Sequence, residues 1–354
     1  MEGREAMHAL DDMRAYPRRA MALQDRDLQS LRSSASGGAF AVLARAVLER
    51  GGAVFGAAIF DGGTVCHVCI RSIEKLIDLQ GSKYVESNVG ETYNECANLL
   101  ASGIEVLYSG TPCQIAGLRT FLAKVLPQKF YEDKLLCVDL ICHGTPKQEL
   151  FKAYIDWLSE KKIADDGIHG YSFRSKLMGW GLYYHYCYFR KGKRLEELGP
   201  ARDDPYYSAF SKGLIYRRCC YKCPFAKLER VADFTIGDYW GIEQVHPDFY
   251  DSRGVSAVLM NTTKAEAFFD ERCADKCKWT SSSVEEIAMR NANLLKPTER
   301  SAEDENLATK VEQAVASGDF EMAFGKLLDP KLSMAAKIRK ALPWRIARTL
   351  SKIR

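Results

Sequence analysis

The sequence predicts a mixed α/β protein: a βαβ-like core whose strands deliver cysteine motifs, an antiparallel hairpin region and a C-terminal helical extension. Three observations carry this reading. Over 104–161, apolar strands run into glycine- and proline-punctuated cysteine motifs and then into amphipathic helices, twice in succession, as βαβ units do. Aromatic, alternating segments around 169–194 read as antiparallel strands. Beyond about 281 the pattern is helical. With 354 residues and 47% apolar content, the chain can bury a sizeable core. It is expected to divide into a polar lead-in (1–30), an N-terminal region (31–115), a second region (116–280) and a helical extension (281–354).

The elements follow in order. Residues 1–30 are polar and charged and read as a loosely packed lead-in. Ser36-Gly37-Gly38 opens the amphipathic helix AFAVLARAVLER, which Gly51-Gly52 closes. AVFGAAIF reads as a buried strand, Asp61-Gly62-Gly63 as a turn and TVCHVCI as its hairpin partner. SIEKLIDL and GETYNECANLLASG have helical patterns. IEVLYSG (104–110) is a strand running into the first cysteine motif, QIAGLRTFLAKVL a helix, and KLLCVDLIC (134–142) a strand ending on a cysteine. A helix follows Pro146 as far as Lys161, with the proline in its first turn. HGYSFRSK and LYYHYCYFRKGKR form a hairpin through Gly-Trp-Gly, DPYYSAFSKGL a short helix and GVSAVLMNT a strand. SSSVEEIAMR starts a helix on a serine cap.

Composition excludes several classes. No apolar run reaches the roughly 18 residues a membrane span needs. The N-terminus carries acids and bases but no apolar signal region. Twelve cysteines without an export signal point to the reducing cytoplasm, where thiols serve as ligands or small core residues. The net charge of +4 is concentrated in 330–354, which holds eight Lys or Arg and no acid. The remainder, 42 basic against 46 acidic residues, carries no nucleic-acid signature.

Four cysteines stand out: Cys113 in SGTPCQIAG, Cys142 in DLICHGTP, and Cys220 and Cys223 in CYKCPFA. Four converging thiolates suit an iron–sulfur cluster or a structural zinc, and spacing leaves both open. Cys219 adjoins Cys220 and competes with it as a ligand. Cys66, Cys69, Cys96, Cys137 and Cys187 read as core residues; Cys66 and Cys69 share a strand, and Cys273 and Cys277, four apart on an expected helix, read as packing. SSASGG (33–38) at a helix start suits a phosphate, and equally an ordinary serine cap. On a second loop, Gly81-Ser82-Lys83-Tyr84 offers a cation for a phosphate and a ring for stacking, or else a solvated charge. ADFTIGDYWG, with Asp233 and Asp238, reads as a site wall or a turn around a core tryptophan. His143 is placed to donate to a cluster sulfide or a flavin, or to cap its own loop; with Asp238 it is a candidate catalytic residue. No GxSxG supports a hydrolase.

Taken in order, SSASGGAF, GSKYVES, SGTPCQIAGLR, VDLICHGTP, SFRSKLMGW, CYKCPFA, ADFTIGDYWG and HPDFYDSRGVSAVLMNT resemble the beta-subunit family of coenzyme F-420 hydrogenases and dehydrogenases over about residues 30–270. The resemblance implies an iron–sulfur flavoprotein oxidoreductase: a 4Fe-4S cluster on Cys113, Cys142, Cys220 and Cys223, and a flavin (FAD, or FMN) against Ser36, Gly37, Gly38, Ser82, Lys83, Tyr84 and Thr111. It implies electron relay to or from a soluble small-molecule redox substrate. Many members open with a cysteine-rich ferredoxin module, whereas this chain has no cysteine before Cys66, so a separate ferredoxin or electron-transfer subunit is the expected partner. The motifs look closer to the bacterial branch that accompanies polysaccharide biosynthesis, which places another acceptor ahead of the deazaflavin coenzyme. A zinc-stapled, non-catalytic scaffold in a glycan-biosynthesis complex is the alternative. The terminal KIRKALPWRIARTLSKIR, apolar residues among seven cations, suits peripheral contact with the inner membrane face or docking onto an acidic partner.

Overall fold

The computed structural model describes residues 15–331, so the basic tail beyond 331 lies outside the described residues. The elements run β1 (Arg19–Asp25), α1 (Leu28–Ser33), α2 (Ala39–Leu48), β2 (Ala53–Ile59), β3 (Val65–Ile70), α3 (Leu76–Leu79), α4 (Thr92–Ala101), β4 (Val106–Gly110), α5 (Pro112–Val125), β5 (Leu135–Leu140) and α6 (Gln148–Lys162). They continue with β6 (Ile168–Ser172), β7 (Tyr183–Arg190), β8 (Lys193–Pro200), α7 (Pro205–Ser211), β9 (Phe234–Asp238), α8 (Ile242–Val245), β10 (Ser256–Met260), α9 (Thr263–Arg272), β11 (Cys277–Ser282), α10 (Val284–Ala288) and α11 (Ala302–Ala316). Among the described residues no helix is long and apolar enough to cross a membrane.

Eight strands form one sheet in the order β11-β1-β10-β9-β5-β4-β2-β3. β2, β4, β5 and β9 are parallel neighbours, and β3, β10, β1 and β11 flank them in antiparallel pairings. The alternation that buries one side chain up and the next down is visible in β2: Val54 faces a core with α2 and α9, while Phe55 faces one with α4 and α5. Two-sided burial explains why β4 and β5 read as mainly apolar runs, broken only by Ser109 and Asp139. The expected division at residue 115 falls inside α5, which links two neighbouring strands of this one sheet. A smaller antiparallel sheet, β6-β7-β8, packs with α6, α7 and α11 around a tyrosine-rich core.

Three expectations are corrected. The described part of the lead-in is not loose: RAMALQD forms β1, buried between β10 and β11, because its charges sit at the ends of an apolar middle. Cys273 and Cys277 do not share a helix; α9 ends at Arg272 and Cys277 opens β11, though both thiols are buried as packing residues. The aromatic hairpin gains a third strand, since Lys191 (φ 52°) and Gly192 (φ 68°) make a two-residue turn between Arg190 and Lys193.

Candidate redox site

The parallel strands aim their C-terminal ends at one region, where loops are free to carry chemistry. β4 ends at Gly110, and Thr111 turns the chain into α5, its backbone N–H donating to the Gln114 side chain (3.0 Å). This puts Cys113 in the first turn of a 14-residue helix, exposed, with its sulfur 3.1 Å from the Thr111 hydroxyl. β5 delivers Cys142 on a loop whose Gly144 (φ 135°) accepts no side chain: an added Cβ would sit 2.4 Å from the Tyr216 ring. A one-turn 3-10 helix, Arg218–Lys222, then brings Cys220 and Cys223 alongside.

The four thiols are electrostatic neighbours. Cys142 is pushed up to about 12, first by burial and then by Cys113, Cys220 and Cys223. Cys220 and Cys223 are raised by burial, with Cys113 adding to both. Backbone N–H groups oppose these shifts: Gly144 toward Cys142, Thr145 toward Cys220, Phe225 and Ala226 toward Cys223. Amide donors aimed at sulfur, around thiols that repel one another as anions, form an environment that a positively charged metal core relieves. Among the described residues no three His, Cys, Asp or Glu side chains close around a single ion. Cys220, half-buried, acts electrostatically on Cys142, whereas Cys219 is exposed.

Against this quartet lies a cavity of about 360 Å³, within the range of cofactor sites. Ser36, Gly38, Ser82, Lys83, Tyr84, Thr111, Cys142, His143 and Asp238 line it. Gly37 does not. A Cβ there would lie 2.2 Å from the Leu23 carbonyl and 2.3 Å from the Ser256 nitrogen, so Gly37 lets the loop pass against β1 and β10 rather than touching a ligand. Ser36 donates to the Val255 carbonyl (2.6 Å), and the loop feeds α2, whose N-cap Gly38 (φ 87°) supplies no side-chain cap. The Ala39 N–H donates to the Ser256 hydroxyl (3.4 Å), and the next two N–H groups of this 10-residue helix, those of Phe40 and Ala41, remain available to a phosphate.

Two expectations about charged groups change. Lys83 donates to the carbonyls of Asp78 (3.2 Å), Leu79 (3.0 Å) and Gln80 (2.8 Å), closing the end of α3 instead of reaching for an anion. Asp238 accepts from Arg174 through both oxygens (2.5 and 2.7 Å) and from the Trp180 ring N–H (2.8 Å), which leaves it no role as a free base. His143 is held by the Asn293 side chain, and burial pushes its pKa down. Its neutral ring lines the cavity next to Cys142.

Sequence reading missed Arg174, the side chain that organises the wall. Buried to 4% exposure, it also donates to the Tyr84 hydroxyl (3.0 Å) and the Ala35 carbonyl (3.1 Å), tying three separate loops together. Lys176 donates to the Leu31 carbonyl (2.7 Å) and to that of Ser36. The motif SFRSKLMGW, read as a strand and as one of the motifs of the family resemblance, carried both; their alternation around Ser175 was the available signal. Flat walls complete the cavity: Tyr84 stacks on Phe210 (4.2 Å between centroids) and Trp240 on Trp180 (5.0 Å). The Thr145 hydroxyl lines the cavity, buried, with no hydrogen-bond partner among the described residues. An orphaned hydroxyl, uncapped helix amides and flat walls fit a flavin with its phosphates.

The parallel α/β core thus bears four neighbouring thiols beside a cofactor-sized cavity. Residues 104–286 match the family model for the C terminus of the beta subunit of coenzyme F420 hydrogenase/dehydrogenase, and the chain belongs to that family. Its fold is similar to a chain of the F420-reducing NiFe hydrogenase complex from Methanosarcina barkeri, solved as a xenon derivative. The identity is 16% and the TM-score 0.51, over 85% of this chain and 93% of the other. No curated protein matches the chain.

Proposed function

We propose that the protein is an iron–sulfur flavoprotein oxidoreductase, with a 4Fe-4S cluster on Cys113, Cys142, Cys220 and Cys223 and a flavin, FAD or FMN, in the adjoining cavity. One observation carries the reading: Cys142 belongs both to the thiol quartet and to the cavity wall, so both groups would meet on the 142–145 loop. When bound, the cluster exchanges single electrons and the flavin couples them to two-electron chemistry. The chain's own residues hold and exclude. The amides of Gly144, Thr145, Phe225 and Ala226 bond to sulfur, the α2 amides take the phosphates, and Tyr84 and Phe210 present a flat, water-excluding face. Electrons arrive or leave through a separate ferredoxin or electron-transfer subunit, and a small-molecule redox substrate meets the flavin at the open side. A link to polysaccharide biosynthesis rests on the sequence motifs alone.

Anaerobically purified protein is expected to hold about four iron and about four sulfide per chain, with a flavin absorbance band. Cys220→Ala loses the iron and Cys219→Ala keeps it. Colourless protein with one zinc per chain would replace the reading with the zinc-stapled scaffold.

A further inference from the structure

Arg217, directly before the CC pair, carries a second orphan. Its Nε is buried and has no hydrogen-bond partner among the described residues. The rest of the residue is pinned. Its backbone N–H donates to the Thr145 carbonyl (3.0 Å), and its carbonyl accepts from the Cys220 N–H (2.9 Å). At the other end of the guanidinium, Nη1 forms a close ion pair with Glu86. The side chain lies within electrostatic reach of Cys113, Cys219 and Cys220. A buried, charged N–H without an acceptor is costly, and the fixed backbone and the Glu86 anchor oppose its turning to water. The acceptors missing from its surroundings are those a metal core would bring: sulfides and metal-bound thiolates.

We propose that Arg217 tunes the redox centre: its Nε–H donates to a sulfur of the cluster or of its cysteine ligands, and Glu86 sets the orientation of the guanidinium. A donor and a positive charge next to the sulfurs favour the reduced, more negative core, so Arg217 raises the reduction potential. This rests on the reading of the site as a four-iron centre, and the two fail separately.

The experiment is a potentiometric titration of the iron-loaded protein followed by EPR, with electron–nuclear double resonance on the reduced cluster. Arg217→Met is expected to move the reduction equilibrium at least tenfold toward the oxidised form, 59 mV for one electron, at unchanged iron content and thermal midpoint. Arg217→Lys keeps the charge and removes Nε–H; its midpoint falls between the two, and one exchangeable-proton coupling disappears. Glu86→Gln removes a negative charge, which by itself raises the midpoint, so this variant is read through the exchangeable-proton coupling, which changes as the guanidinium loses its anchor. Wild-type protein without iron and sulfide overturns both the reading and the proposal. An iron-loaded Arg217→Met with an unmoved midpoint overturns the proposal alone, as does an Arg217→Lys that matches wild type in midpoint and coupling. Should Arg217→Met fail to hold iron, the Lys variant decides by midpoint and coupling and the Gln variant by coupling.

Discussion

His67 lines the cavity with Nδ1 on the Ser87 hydroxyl (2.8 Å) and Nε2 on the Ser109 carbonyl (3.0 Å). A carbonyl only accepts, so Nε2 carries the proton and Nδ1 accepts from Ser87. Burial lowers the pKa to about 4, although the Ser109 carbonyl favours the charged form. In the unfolded chain the ring titrates near 6.5. Between these values the unfolded state binds the proton and the folded state does not, so stability is fully present above 6.5 and falls as pH drops toward 4. Thermal unfolding at pH 7 and pH 4.5 (both about, set by these pKa values) should show a steeper loss in wild type than in His67→Asn; equal slopes would remove His67 from the account. Asp238→Asn tests a different residue. It leaves the buried Arg174 short of its counter-charge and should cost about 3 kcal/mol, read by denaturant unfolding. At this scale the sequence was half legible. Some residues lining the cavity, such as Gly38 and Tyr84, were named from their glycine and ring, whereas His67, Thr145 and Phe210 were not, and Lys83 and Asp238 have partners that no local pattern announces, Arg174 standing 64 positions from Asp238.

Elements with strong patterns were readable, and the reasons for the exceptions are physical. β4 and β5 are apolar apart from Ser109 and Asp139 because both faces are covered, and α5 announces itself through Thr111-Pro112 and Gln114. β8 (KRLEELGP) is charged and largely half-exposed, and β11 (CKWTSS) is an edge strand with one covered face, so neither shows an apolar run. In β1 the burial is visible only once β10 and β11 stand beside it. The loop before α2 makes its own prediction. Gly37→Ala drives a methyl into the backbone of two strands and should destabilise by about 3 kcal/mol or more. Gly37 has no positive φ, so the backbone clash is the whole expected cost; a Gly37→Ala protein as stable as wild type would mean that close packing is not what Gly37 provides.

The whole molecule was legible as a class but not as a topology. β1 and β2 lie at nearly opposite ends of the sheet, and α2 connects them across its face. No local pattern encodes such a crossing. The core residues of the large sheet pack without help from the four cysteines, whose segments stand at its rim. Chelation of iron is therefore expected to leave far-UV circular dichroism and a cooperative thermal transition intact while visible absorbance is lost. Collapse of the fold on chelation would mean that the metal, and not the sheet, holds the molecule together.

The placement of β1 has a practical consequence for anyone cloning this gene. A truncated clone starting at the first glycine-rich motif, near residue 31, would look economical and would delete a strand hydrogen-bonded on both sides. β10 would then present a bare ladder of amides and carbonyls to other molecules, and β11 would have no neighbour to join. Inclusion bodies from such a clone would report on the missing strand and say nothing about the cofactors.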